Sequence, residues 1–243
     1  MYNAVKPTKL IHEKLAYDVW IFKDFFLDEK FQEFKKVITK QNNWQVGGKR
    51  INDQESALER EMRFIPLDQE SNDLKKITDI LHSEENIKYI LDSISVENKD
   101  IYASKYWSGA RLNKKGSQQL IHRDALFSPD KTEYKLFTIM YYFSSPKDDE
   151  QGSLEIWSKD MNEMLFSIPA TENTVVCFEN NEFAWHGVPK CDYDRYAYTM
   201  SLAKELDAND KKILSGKYNH KALFVKRPND PKKISELAIK RFS

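Results

Sequence analysis

The sequence predicts an α+β protein, mainly β, in which two helices pack against one sheet of an antiparallel sandwich or barrel. Two amphipathic helical patterns lie within the first 100 residues. Eight short apolar or aromatic runs follow between residues 101 and 202, at the spacing typical of sandwich and barrel folds. The 12 Tyr and 14 Phe residues provide a large apolar core for a single domain, 1–243.

Residues 1–100 are predicted to support the β core. Residues 17–27 are aromatic and β-branched, which indicates a strand that leads into a helix. We expect Asp28 to cap that helix. Its apolar stripe comprises Phe31, Phe34, Val37 and Ile38. A second helix is predicted from about Asn72 to Leu91, because apolar residues recur there at helical spacing.

Residues 101–204 are predicted to form the β core, and turn-forming residues separate its strands. The predicted strands cover residues 101–107, 119–122, 134–143, 153–157, 164–168, 174–179, 183–188 and 195–202. Residues 205–243 hold more basic than acidic residues, with a short amphipathic helix formed around Ile234, Leu237 and Ala238. We expect this C-terminal extension to pack on the core; a surface for an acidic partner is the alternative.

Composition excludes several classes of protein. The 38 basic and 38 acidic residues cancel, which argues against a nucleic-acid-binding protein. Two cysteines are too few for a disulfide scaffold and favour a reducing compartment. The charged N-terminus does not resemble a signal peptide, and no apolar run approaches the roughly 20 residues of a membrane span. We therefore expect a cytoplasmic protein that binds neither nucleic acid nor membranes; its oligomeric state stays open.

Two histidines and one aspartate form a candidate metal site. His122 and Asp124 are two positions apart in a predicted strand, so their side chains project from the same face. His186 lies in another apolar strand. Two imidazoles and one carboxylate with open positions are the facial triad of non-haem Fe(II), although zinc also accepts such ligands. The alternative is that each histidine is an ordinary core residue whose ring nitrogens form hydrogen bonds within the protein.

Arg195 begins a strand whose two faces differ. Arg195, Ala197, Thr199 and Ser201 share one face, which is small and polar around the guanidinium, whereas Tyr196, Tyr198 and Met200 share a bulky face suited to packing under the helices. A buried arginine among small residues favours a bidentate carboxylate ligand. An internal ion pair is the alternative. Tyr106 and Tyr142, each in a predicted strand, are candidate phenolic donors to the same carboxylate.

The order of these motifs resembles the Fe(II)/2-oxoglutarate-dependent dioxygenase superfamily, and within it the prolyl-hydroxylase-like branch. The matching segments are Tyr106 to Gly109, His122 to Asp124, Phe137 to Phe143, Gly152 to Leu154, His186 to Pro189, and Arg195. The resemblance covers roughly residues 17–202. It implies a double-stranded β-helix, or jelly roll, which agrees with the predicted strands. One departure is Gly152-Ser153, where the family has a Gly-Gly pair.

The resemblance also implies roles for individual residues. His122, Asp124 and His186 would be the iron ligands, and Arg195 would hold the distal carboxylate of 2-oxoglutarate. Tyr142, Tyr106 and Thr199 match positions at or beside the cosubstrate. The implied activity is hydroxylation of an unactivated C–H with Fe(II), 2-oxoglutarate and O₂, releasing succinate and CO₂, with ascorbate expected to help maintain activity. The alternatives are a non-catalytic jelly-roll module that senses 2-oxoglutarate or binds a partner, and a cupin-like zinc hydrolase.

The substrate is left open between an amino acid, a prolyl-type peptidyl residue and a small biosynthetic intermediate. The residues predicted to contact it are Trp44, Arg50, Arg111, Arg123 and Trp157. Residues 43–50 fall where the family often has a lid, and residues between Tyr106 and His122 are expected to form a mobile basic loop over the pocket. The arginines would suit a substrate with a carboxylate or phosphate; solvated surface charges are the alternative.

Overall fold

A computed structural model describes Val5, residues 7–46, 62–146 and 152–207, and the backbone of residues 223–225. The helices are α1 (Asp28–Thr39), α2 (Asn72–Leu81) and α3 (Glu84–Ser93), with a 3₁₀ turn at Leu67–Gln69. The strands are β1 (Lys9–Lys14), β2 (Asp18–Lys23), β3 (Gln45–Val46), β4 (Met62–Phe64), β5 (Tyr102–Ala103), β6 (Gly109–Asn113), β7 (Gln119–Arg123), β8 (Glu133–Tyr142), β9 (Leu154–Trp157), β10 (Met164–Ile168), β11 (Val175–Glu179), β12 (His186–Val188), β13 (Arg195–Glu205) and β14 (Leu223–Val225).

These strands form two antiparallel sheets, and together the sheets make a jelly roll. The major sheet has the order β1-β2-β11-β8-β13-β6-β4-β3, with β5 beside β13, and the minor sheet has the order β10-β9-β12-β7-β14. Side chains from both sheets meet in one apolar cluster that includes Val176, Ala197 and Ile156. The predicted fold class is therefore confirmed.

The helices cover the outer face of the major sheet. Phe31, Phe34 and Ile38 of α1 are buried in the same cluster as Tyr198 and Met200 of β13, whereas Ala197 belongs to the cluster between the sheets. The two faces of β13 thus separate as the sequence predicts. The bulky face packs under the helices, and the small face that carries Arg195 is turned inward.

Two helix predictions are wrong in detail. Leu27, and not Asp28, is the N-cap residue of α1, and no side chain caps that helix. The predicted helix from Asn72 to Leu91 is two helices, because it breaks at Ser83. The Ser83 hydroxyl accepts a hydrogen bond from the Asn86 amide at 3.2 Å and so starts a new helix.

Each of the eight predicted strand runs contains an observed strand, but β6 was not predicted. The mobile basic loop expected between Tyr106 and His122 is wrong, because residues 109–113 pair with β13 over their whole length. Gly109 permits this start: its φ is +134°, and an added Cβ would lie 2.9 Å from the Ile65 carbonyl oxygen. Strands β1, β3, β4 and β14 were also not predicted.

The predicted C-terminal helix around Ile234 and most of the basic extension lie outside the described residues. Within the residues that the structure describes, no helix is both long enough and apolar enough to cross a membrane.

Candidate active site

The predicted metal-binding residues lie together where two strands of the minor sheet pair. His122 of β7 and His186 of β12 are partners in the register, and their ring centroids are 4.2 Å apart. Asp124 follows β7 directly. One potential ligand atom of each residue lies within 4.8 Å of the others. The strand pairing therefore brings two imidazoles and a carboxylate to one point, the donor set of a non-haem Fe(II) centre.

Both imidazole rings are oriented by their own strands. The Nδ1 atom of His122 lies 2.7 Å from the Leu120 carbonyl oxygen, and that of His186 lies 2.9 Å from the Ala184 carbonyl oxygen. A carbonyl oxygen only accepts, so each Nδ1 carries the proton and each Nε2 presents a lone pair. Burial lowers the pKa of His186, which favours the neutral ring that a metal requires.

Asp124 is held by a buried cation. The Lys135 ammonium, with a side chain only 2% exposed, lies 2.5 Å from Asp124 Oδ2, and the Thr138 hydroxyl lies 3.3 Å from the same oxygen. Burial alone would raise the pKa of Asp124, but the charge of Lys135 and the neighbouring imidazoles lower it well below its usual range. One carboxylate oxygen is thus occupied, and Oδ1 faces His122 Nε2 at 3.8 Å.

Arg195 is a buried cation of a different kind, 1% exposed. Its Nη1 donates to Asn113 Oδ1 at 3.3 Å, and its Nη2 donates to the Tyr142 hydroxyl at 3.2 Å. Within the described residues it forms no salt bridge, so the alternative of an internal ion pair is not found there. Arg195 Nε and Asn113 Nδ2 are buried and without a hydrogen-bond partner. These unsatisfied donors suit the carboxylate of a ligand such as 2-oxoglutarate.

The triad and Arg195 line one cavity of about 210 Å³, which we call the active-site cavity. Thr199 and Arg111, both predicted as site residues, line it as well. The sequence interpretation missed several lining residues: Met62, Trp107, Asn113, Gln119, Lys135, Thr138, Met140, Leu154 and Phe178. Asn113 was hidden by the wrong loop prediction. Strand alternation would place Lys135 with Phe137 and Ile139 on the helix side of the major sheet, so that pattern could not identify it. Lys135 lines the cavity because the pairing of β8 with β13 shifts register between Leu202 and Ala203.

Tyr106 lies in a turn, not in the predicted strand, because β5 ends at Ala103 and the next strand, β6, begins at Gly109. It lines the active-site cavity, but its hydroxyl donates to Asp130 at 2.6 Å. Tyr142 is in a strand, as predicted, and accepts a hydrogen bond from Arg195. The structure thus brings Tyr142 to Arg195, whereas the Tyr106 hydroxyl is engaged elsewhere.

Three residues predicted to contact substrate do not line the active-site cavity. Trp157 packs in a separate apolar cluster, and its indole donates to Glu155. Arg123 projects from the opposite side of β7 to His122, donates to the Glu182 carbonyl oxygen and lies over the Trp185 ring. Trp44 packs against Tyr196 and donates to the Gln41 carbonyl oxygen. Arg50, with residues 47–49 of the predicted lid 43–50, lies outside the described residues.

The Gly152-Ser153 departure retains the glycine where the backbone requires it. Gly152 has a φ of +64°, and an added Cβ would lie 2.8 Å from the Tyr193 hydroxyl. Ser153 is buried and accepts a hydrogen bond from the Ser167 hydroxyl. The serine is therefore accommodated in a buried position directly after the turn.

Comparisons with known proteins agree with this geometry. Residues 107–202 match the family described as the 2OG-Fe(II) oxygenase superfamily. None of the curated proteins has a matching sequence. A Trichoplax adhaerens prolyl hydroxylase, in complex with a hypoxia inducible factor peptide, is similar in fold with a TM-score of 0.56 and 15% identity, over 80% of this chain and 86% of that one.

Two further solved structures share the fold. An oxidoreductase of the 2OG-Fe(II) oxygenase family from Burkholderia pseudomallei has a TM-score of 0.57 and 11% identity, over 79% of this chain and 87% of that one. HygX from Streptomyces hygroscopicus, with nickel, 2-oxoglutarate and hygromycin B bound, has a TM-score of 0.52 and 13% identity, over 78% and 84%. Identities this low show similarity of fold alone.

The matched residues contain the whole triad, Arg195, Tyr142 and Asn113. Over these residues the chain is similar to the 2OG-Fe(II) oxygenase superfamily, whose enzymes use Fe(II), 2-oxoglutarate and O₂.

Proposed function

We propose that this oxygenase hydroxylates an unactivated C–H of a small molecule or peptidyl residue and releases succinate and CO₂. The observation that carries the proposal is Arg195, a buried guanidinium with an unsatisfied Nε in the same cavity as the His-Asp-His triad. 2-Oxoglutarate has a carboxylate at each end, so a metal and an arginine in one cavity match its two ends.

Each side chain has a distinct task in this proposal. His122 Nε2, His186 Nε2 and one oxygen of Asp124 would hold iron, which supplies the O₂-dependent redox chemistry when bound. Arg195 would bind the distal carboxylate, assisted by the Tyr142 hydroxyl and by Asn113 Nδ2, which has no other partner. Thr199 lies on the same face of β13 as Arg195 and lines the cavity beside it.

The similar structures support two substrate classes. One holds a peptide, and another holds hygromycin B, a small molecule. A non-catalytic module that only binds 2-oxoglutarate is the competing function. The intact donor set favours an enzyme, because a binding module has no need for a metal site with its ligands oriented.

The test begins without oxygen. Fe(II) is added to the full-length protein, 2-oxoglutarate is titrated, and the visible metal-to-ligand charge-transfer band is recorded. We expect a saturable band in the wild type, no band in His186→Ala, and a band that needs far more 2-oxoglutarate in Arg195→Leu. His12→Ala is the matched control, since His12 is an exposed histidine that bonds Asp18 outside the cavity.

Admission of oxygen then separates an enzyme from a binding module. An enzyme releases succinate from 2-oxoglutarate in proportion to O₂ consumed, and the release increases with its substrate. A folded, iron-loaded wild-type protein with no band would contradict the proposed site. A band without succinate release would favour the binding module.

A further inference from the structure

The active-site cavity is too small to hold both the cosubstrate and a complete substrate. Its volume of about 210 Å³ is below the range of about 300–1,000 Å³ that is usual for small-molecule sites. 2-Oxoglutarate would fill a large share of that space. A substrate must therefore reach the triad with one part and occupy a neighbouring space with the rest.

A neighbouring space exists on one side of the active-site cavity. It has a volume of about 380 Å³, and we call it the side cavity. Tyr106 and Arg111 line both cavities, so the two adjoin at these residues. The remaining lining of the side cavity is formed by Phe64, Pro66, Leu67, Asp68, Lys105 and Ser108. Three of these six are apolar, which suits the body of an apolar or amphipathic substrate.

Arg111 stands at this junction without a direct carboxylate partner among the described residues, although the charge of Asp124 acts on it at longer range than a salt bridge. Its Nη2 donates to the Trp107 carbonyl oxygen at 3.2 Å, its Nη1 lies 3.4 Å from the Ala110 carbonyl oxygen, and its guanidinium lies over the Phe64 ring. Among the described residues it forms no salt bridge. Backbone carbonyls and an aromatic face orient the guanidinium, and none of these direct contacts supplies a counter-charge.

The other charges of the active-site cavity already have counterparts. Lys135 pairs with Asp124. Arg195 is assigned to the cosubstrate by the proposed function. Arg111 is then the one described cationic side chain lining the active-site cavity that forms no ion pair and has no ligand assigned to it. A partly buried guanidinium without a counter-charge is costly, and a carboxylate from a ligand would offset that cost.

We propose that Arg111 binds a carboxylate of the primary substrate, whose apolar part occupies the side cavity. The substrate class is a carboxylic acid with an apolar body, and the carboxylate fixes which C–H reaches the triad. This inference rests on the proposed function, because only that function makes the bound acid a substrate for hydroxylation. The binding it describes can be measured without turnover.

The experiment uses 4-phenylbutyrate and its amide, 4-phenylbutyramide, as probes of equal shape. They are titrated into full-length protein loaded with Ni(II) and saturating 2-oxoglutarate, so that Arg195 is occupied and no turnover occurs. Binding is followed by ligand-observed NMR. We expect the acid to bind at least about tenfold more tightly than the amide, as a charge-assisted hydrogen bond predicts.

Variants locate the bound acid. Arg111→Gln should remove the preference for the acid, and Arg111→Lys should retain part of it. Leu67→Trp should exclude both probes, because the larger ring fills the side cavity. Lys23→Gln is the control, since it removes a positive charge that lies on β2 outside both cavities.

Three results would overturn the inference: no binding of the acid, equal binding of acid and amide in the wild type, or an acid preference that survives Arg111→Gln. The comparison of acid and amide uses the wild-type protein alone, so it tests the inference even if a variant fails to fold. The charge-transfer band with 2-oxoglutarate reports the proposed function separately. An intact band with equal probe binding would reject the Arg111 inference and leave the proposed function standing.

Discussion

The two ends of the active-site cavity each bury a cation, but only one supplies its counter-charge. At the metal end, Lys135 lies 2.5 Å from Asp124 and is 2% exposed. At the other end, Arg195 is 1% exposed, and its neighbours Asn113 and Tyr142 are both uncharged. Both cations belong to strands of the major sheet, Lys135 to β8 and Arg195 to β13.

The two ends therefore differ in whether the buried cation has a counter-charge within the protein. A buried charge needs a partner, because removing it from water costs several kcal/mol that only a counter-charge and hydrogen bonds offset. Lys135 and Asp124 satisfy each other within the protein, and this holds the carboxylate ready for a metal. Arg195 is oriented by neutral groups, and in the proposed function its counter-charge comes with the cosubstrate.

The largest expected effect is on cosubstrate affinity in Arg195→Leu. Truncating one partner of a buried charge pair costs about 2–5 kcal/mol, so the Kd for 2-oxoglutarate should rise by at least about 30-fold. The fold should not lose stability, because the substitution removes a charge that has no counter-charge in the free protein. Calorimetric titration and chemical unfolding measure the two quantities. A large loss of stability in the free protein would show that Arg195 has a structural partner.

Lys135→Met should have the opposite signature. It leaves Asp124 as a partly buried carboxylate with only the Thr138 hydroxyl, so the metal-free protein should lose about 1–3 kcal/mol of unfolding free energy. Added Ni(II) should restore more stability in this variant than in the wild type, since the metal replaces the missing cation. Lys135→Arg keeps the charge and serves as the control. Equal Ni(II) stabilisation in variant and wild type would contradict the pairing argument.

Asn113→Asp would make the Arg195 end resemble the metal end. The new carboxylate would lie where Asn113 Oδ1 accepts from Arg195 at 3.3 Å and would compete with the cosubstrate. We expect 2-oxoglutarate affinity to fall about tenfold, with no loss of fold stability. Asn113→Ala, which adds no charge, should lower the affinity less. An unchanged affinity in Asn113→Asp would mean that the cosubstrate does not bind beside Asn113.

The smallest effect is expected for Trp157→Phe. Trp157 packs with Ile121, Met161 and Trp185 outside the active-site cavity. The Kd for 2-oxoglutarate should change by less than about twofold, because no contact with the cavity is lost. Binding of 4-phenylbutyrate should be equally unaffected. A strong effect on either ligand would place the substrate on the far side of the minor sheet.

Local patterns were sufficient for most strands, and they singled out His122, Asp124 and His186 as a candidate metal site. Alternation places Arg195 with Thr199 on one face of β13. It also predicted that His122 and Asp124 share a face, although Asp124 lies one residue beyond the end of β7. The same rule separates the bulky and small faces of β13, and packing against the helices follows from it. Helix α1 is readable for a similar reason, since one apolar stripe defines its buried face.

The break between α2 and α3 was less readable, because the apolar spacing continues across Ser83 while the serine competes for backbone amides. Strand β6 could not be predicted from the sequence. Its residues are mixed, and its start depends on Gly109 meeting the Ile65 carbonyl, a contact between distant segments.

Tertiary structure alone decided the charge relationships that define the site. Nothing in the sequence pairs Lys135 with Asp124, because the two residues belong to different sheets that meet only when the jelly roll closes. The same holds for Asn113 beside Arg195 and for Arg111 between two cavities. The sequence by itself determined which residues of β13 face inward, since that depends on the local period of a strand. Which inward residues meet depends on sheet closure, a long-range event without a local signature.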